Sequence, residues 1–176
     1  MINKKIEIRK EIESDYADVY ELNKAAFGQE SESKLVELLR KSNAFIPEFS
    51  LVAVTNNKIV GHIIFTKIII KDDNGNEFES LALAPMAVTP ELQKRGIGGK
   101  LIRYGFNKAR ELGYKSVIVL GHEHYYPKFG FKPANKWKIK APFDVPKNVF
   151  MGIELVENGL TGVTGTVHYP EEFEMI

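Results

Sequence analysis

"LAPMAVTPELQKRGIGGKLI", Leu83 to Ile102, runs from an apolar segment past two prolines into a glycine-rich turn and the start of an amphipathic helix. Its centre, Gln93 to Lys100, packs three glycines and three cations into eight residues. A helix beginning just after Gly96 leaves its first N–H groups without intrahelical partners, and its dipole puts partial positive charge there. Glycines let the backbone turn sharply and let a bulky anion approach where a Cβ would stand in the way. Lys94, Arg95 and Lys100 add side-chain charge at the same point. Such a loop suits a phosphate or pyrophosphate. Two other phosphate loops are excluded: Lys100 is followed by Leu101 rather than Ser or Thr, and the position three after Gly98 is Leu101 rather than Gly.

Outward from this stretch the elements fall into order. Ile97, Leu101, Ile102, Gly105, Phe106, Ala109 and Leu112 share a helical face, and Gly113 supplies a stop. "SVIVL" (Ser116 to Leu120) is a short continuous apolar run of the kind a buried strand has. Strand, loop, helix, strand is a crossover unit, so the strands before and after the helix should lie parallel. On the N-terminal side, "FSLVAVT" and "KIVGHIIFTKIIIK" are β-rich runs joined by Asn56-Asn57, and "DDNGN" (Asp72 to Asn76) turns the chain into a third strand, "EFESLALAPMAV". Farther upstream, Ile6, Ile8 and Ile12 alternate with charges as in a half-buried strand. A helix capped by Ser14 or Asp15 should present Tyr16, Val19, Tyr20, Asn23, Ala26 and Phe27 on one face and end at Gly28. A second helix should run from Ser31 to Lys41 on Leu35, Leu38 and Leu39. Downstream, "EHYYPKFGF" predicts a short helix and turn, and "NVFMGIEL" a closing strand. The expected fold is one α+β domain over 1–176, α/β/α layered, with a mixed, mostly antiparallel sheet and one parallel pair.

Composition narrows the function. Lys and Arg total 24 against 23 Asp and Glu, a formal charge of +1, so no global field recruits nucleic acid or anionic lipid. The lysines at 128, 132, 136, 138 and 140 read as a solvated face. There is no cysteine, which excludes disulfides, thiol catalysis and cysteine metal sites. His122 and His124, two residues apart with one Glu and no H-E-x-x-H helix, make a poor zinc site, so no metal is expected. The N-terminal "MINKKIEIRKEIESD" is too polar for a leader and no apolar run approaches the ~20 residues of a membrane span. A cytoplasmic protein without membrane or nucleic-acid partners is expected.

The stretch "LAPMAVTPELQKRGIGGKLI" resembles the acyl-CoA-binding motif of the GNAT superfamily of N-acetyltransferases, and "GHEHYYPKFGF" is similar to that family's second motif, a strand end and short helix with a tyrosine before Gly-Phe. The resemblance covers about residues 6 to 156, leaving 157–176 as a C-terminal extension; the tail "APFDVPKNVFMGIELVENGLTGVTGTVHYPEEF" is similar to that of one uncharacterised bacterial subgroup. It implies acetyl-CoA as co-substrate, a small-molecule or peptide amine as acceptor, and a parallel strand pair splayed to admit CoA. Met86, Ala87 and Val88, beside Pro85, would present backbone groups to the pantetheine arm and acyl carbonyl. Gln93, Lys94, Arg95, Gly96, Ile97, Gly98, Gly99 and Lys100 would wrap the CoA pyrophosphate. Tyr126, four residues before Gly130, would protonate the departing thiolate.

The chemistry needs such parts. Negative charge grows on the thioester oxygen as an amine attacks, and a fixed backbone N–H stabilises it. The leaving thiolate needs a proton, which a nearby phenol can give. A lysine-like amine with a pKa of about 10.4 must also lose one. Leu81 to Val88 carries no carboxylate to take it, which departs from part of the family; Glu79, Glu123, His122 and His124 remain candidates. A non-catalytic acyl-CoA sensor using the same cradle is the competing reading, and monomer or homodimer stays open.

Overall fold

The computed structural model describes residues 5–176; Met1–Lys4, on which the expectation of no leader partly rests, lie outside the described residues. The order is β1 (Glu7–Lys10), α1 (Tyr16–Phe27), α2 (Ser31–Arg40), β2 (Ser50–Thr55), β3 (Lys58–Lys71), β4 (Glu77–Val88), α3 (Ile97–Glu111), β5 (Ser116–Leu120), β6 (Lys132–Pro133), β7 (Ile139–Lys140), β8 (Phe150–Glu154) and β9 (Gly165–His168). One mixed sheet runs β1-β2-β3-β4-β5-β8-β6, and β9 bridges β3 and β7. Asn56 and Asn57 both take positive φ, 50° and 59°, the conformation a two-residue hairpin turn requires.

Alternation across the sheet builds two apolar layers. Leu81, Leu83, Val117 and Val119 point to the face covered by α3, where they meet Phe65, Leu101 and Phe106. Ala82 and Ile118 point to the other face, with Ile68, Ile70, Phe150 and Val167. Val19, Leu35, Val36 and Leu39 of α1 and α2 cover Val52 and Ile64. Because both faces are covered, β3 to β5 read as nearly unbroken apolar runs. α3 comes close to the sheet at Gly105, where any Cβ would collide with the Phe65 ring.

Several expectations need correction: Ile12 lies outside β1 and Leu112 beyond the end of α3, and both are exposed. The buried face of α1 is Val19, Leu22 and Asn23; Tyr16 and Phe27 are exposed. Tyr16 instead lies beneath the Arg40 guanidinium, 3.8 Å from its ring centroid. Asp15 does not cap α1; its carboxylate accepts from both Nη atoms of Arg9 and from the backbone N–H of Ile12. In α2, Val36 is buried beside Leu35 and Leu39, whereas Leu38 is half-buried. β8 is the expected closing strand, antiparallel to β5, while the strands β6, β7 and β9 had no periodicity to announce them.

Candidate active site

β4 and β5 pair in parallel only at Leu81–Val117 and Ala82–Ile118. Beyond that point β4 bulges: Ile63 faces Met86 and Phe65 faces Leu83, so Ala84 and Pro85 stand opposite the single residue Ile64. A proline lacks the donor a ladder needs, and an extra residue bends the strand. The two strands part, and their carboxyl ends open into a cleft of about 790 Å³. That is where an open α/β sheet admits a ligand.

The glycine loop forms one wall. Lys94 and Gly96 hold positive φ, 63° and 87°, and Gly96 is the N-cap of α3 with no side-chain capping bond. The first N–H groups of α3 therefore stay available, with Gly96, Ile97, Gly98 and Gly99 all lining the cleft. A Cβ on Gly96 would meet nothing within 4 Å, so open space lies there for a bulky anion; one on Gly98 would stand 2.6 Å from the Tyr125 hydroxyl. The residues present fit a diphosphate in charge, donors and room. Gln93 lines the cleft but spends its amide on the Val88 carbonyl, 3.1 Å away, tying the loop to the end of β4. Lys94, Met86 and Val88 also line it. Ala87 is buried within the sheet beside His62, and Arg95 and Lys100 are exposed outside the cleft wall. Arg103 lines it instead, its guanidinium 5.3 Å from the Phe129 ring centroid. Its position four residues after Gly99, hence on the same helical face, was the signal that could have found it.

Both tyrosines of the second motif reach the cleft. The Tyr126 ring lies against the Cα of Gly121 so closely that a Cβ there would collide with it. It meets Tyr125 edge-on at 5.1 Å and Phe131 at 5.7 Å. Burial, with a smaller contribution from Tyr125, pushes the Tyr126 phenol well above its ordinary value. Burial also raises Tyr125, against the opposing charge of Arg103. Both are protonated donors at neutral pH, as a phenol is, and remain so to higher pH than an exposed one.

The family model for the acetyltransferase (GNAT) domain matches residues 7–134. The chain belongs to the GNAT acetyltransferase family. It is 41% identical over 135 residues to the uncharacterised N-acetyltransferase YjhQ of Escherichia coli K12, covering 76% of this chain and 74% of that one. The crystal structure of the E. coli GNAT N-acetyltransferase YhbS in complex with CoA superposes with a TM-score of 0.89 at 28% identity, over 99% of this chain and 94% of that one. A Brucella melitensis GNAT acetyltransferase in complex with acetyl-CoA gives 0.77 at 31% identity, over 97% and 99%. The open mixed sheet with a splayed parallel pair is the GNAT fold.

The cleft of this GNAT chain has a second wall that the sequence did not announce. Phe27 at the end of α1, Glu32 and Leu35 of α2, and Phe173 and Ile176 of the tail line it. Phe173 arrives there through an aromatic chain, 5.2 Å from Tyr169, which in turn stacks on Phe143 at 6.2 Å. Among the four candidate bases, only His122 lines this cleft. Glu79 pairs with Lys67 at 2.7 Å on the sheet surface, and Glu123 with His124 at 3.3 Å. Among the described residues no group of three or more His, Asp or Glu is placed to hold a metal, and no helix is long and apolar enough to cross a membrane.

Proposed function

We propose that this GNAT chain transfers an acetyl group from acetyl-CoA to a primary amine by direct attack, with Tyr126 as general acid. Met86, Ala87 and Val88 offer backbone groups to the pantetheine arm and the thioester oxygen. Gln93 to Lys100, joined by Arg103, hold the diphosphate. The amine nitrogen bonds to the acetyl carbon as the C–S bond breaks, the Tyr126 proton passes to the sulfur, the amine's surplus proton leaves to solvent, and the Tyr126 phenolate takes a proton back from solvent. One observation carries the reading: a phenol whose pKa is raised further by burial lies in the same cleft as the uncapped start of α3, where β4 and β5 part. A phenol that ionises late gives its proton only when charge develops on the leaving atom.

Tyr126→Phe tests it, because the ring and its packing stay while the proton is lost. Turnover should fall on the order of a hundredfold, within the range of a positioned general acid, with acetyl-CoA affinity by calorimetry little changed. Equal rates would end the assignment. A loss of binding without a turnover defect would make Tyr126 a wall of the pantetheine channel. In the parent, raised phenol ionisation means that no rate loss from this group should appear as pH rises from 7 through 10, its ordinary value.

A further inference from the structure

The charge in the cleft is divided. Lys94, Arg103 and the start of α3 make one end positive, and Glu32 is the single acidic side chain among the described lining residues. Glu32 is half-buried in the first turn of α2, where the helix dipole favours negative charge. Gln29 donates its amide to both carboxylate oxygens, at 2.9 and 3.2 Å, at the exposed edge of the cleft. A carboxylate has about four lone-pair sites, so acceptor capacity remains on each oxygen. Around it the wall is apolar: Phe27, Leu35, Phe173 and Ile176.

A carboxylate set in an apolar wall matches a cation carried on a hydrocarbon body. That cation is not the nitrogen that reacts. An amine attacks only when neutral, and a carboxylate held against it would favour its charged form. Resting on the proposed acetyl transfer, we infer that Glu32 is the specificity-determining residue of the acceptor site, and that the acceptor is a diamine-like molecule. One of its amines is acetylated, and a second cation on an alkyl or aryl spacer pairs with Glu32 against Phe27 and Phe173.

The test compares hexamethylenediamine with hexylamine as acceptors, for the parent and for Glu32→Gln, together with calorimetric binding of each amine to the CoA-bound protein and of acetyl-CoA to the free protein. The parent should prefer the diamine. Glu32→Gln should reduce the diamine-to-monoamine ratio of kcat/KM by about tenfold to a hundredfold, the range for a hydrogen bond to a charged group. The loss should lie in KM and in amine affinity, with the kcat–pH profile keeping its shape. An unchanged ratio would overturn the inference. So would an equal loss for both amines in kcat with an altered pH profile, which would make Glu32 the base. A parent that binds acetyl-CoA yet shows no preference for the diamine overturns this inference alone. A parent that does not bind acetyl-CoA overturns the proposed transfer and this inference with it.

Discussion

At Glu11 a carboxylate whose side chain is 2% exposed faces Arg40 at 2.6 Å and His62 at 3.1 Å, and accepts a hydrogen bond from the Ser50 hydroxyl at 2.8 Å. Burial opposes its ionisation, but the hydrogen bonds and charge of His62 and Arg40 outweigh this and bring its pKa from 4.5 down to about 2. His62 itself is pushed down by burial, with Glu11 opposing, so Arg40 is the permanent cation of the group. A carboxyl depressed in the folded state contributes stability that is complete above pH 4.5 and lost as pH falls toward 2. A buried histidine held below its ordinary 6.5 adds to the same slope, because the unfolded chain takes up a proton there first. Urea midpoints should therefore fall from pH 6 to pH 3, and Glu11→Gln should flatten the part below 4.5. The variant should also be less stable at pH 7 by about 3 kcal/mol, because Arg40 is left buried without its partner. An identical pH slope in parent and variant would move the acid sensitivity elsewhere. The sequence showed a glutamate, an arginine, a serine and a histidine scattered over Glu11 to His62. Nothing in their spacing joins them, because the join is made across β2, β3 and the end of α2.

β9 belongs to the scale of elements. β2 pairs with β3 only from Lys58 to Ile64, so the far half of that edge of β3 would be left open. β9 closes it, pairing Ile69–His168, Ile70–Val167 and Lys71–Thr166, and at Gly165, φ 125°, its backbone passes so close to Lys71 that a Cβ would collide. An open edge is a site for pairing with other chains, and covering it suppresses that. Deleting residues 164–176 removes the fully buried Val167 and the half-buried Tyr169, worth about 3 kcal/mol together at 1.5–3 kcal/mol per fully buried side chain. The melting temperature should fall on the order of 10 °C, with increased self-association by light scattering. An unchanged melting temperature would make the tail an appendage. In four residues, one a glycine, no period can show; the strand exists because β3 has an edge to fill. By contrast the crossover from β4 through α3 to β5 was legible. Its helical face is long, its strands are apolar on both sides, and Gly96 and Gly113 mark its ends.

For the whole molecule, a ligand that binds only the folded state stabilises it. Acetyl-CoA at a hundred times its dissociation constant should add about 2.7 kcal/mol, a rise in melting temperature of roughly 5–10 °C for a chain of this size. Gly98→Val should abolish that increment, because its side chain would occupy the first turn of α3 and displace the Tyr125 hydroxyl. The measured quantity is the ligand-induced rise, since the substitution also lowers the starting value. A full rise in Gly98→Val would move the anion away from the glycine loop. The sequence by itself determined the meander, the crossover, the glycine loop and the family, because each rests on local rules: hydrophobic period, positive φ at Asn and Gly, and two motifs contained in Leu83 to Ile102 and Gly121 to Phe131. Only the tertiary structure decided the Glu11 group, the place of Arg103 on the cleft wall, the strand β9, and the wall of Phe27, Glu32 and Phe173. Those features join residues far apart in the chain, and which of them meet is set by how the helices and the tail pack on the sheet, where no local pattern records the partner.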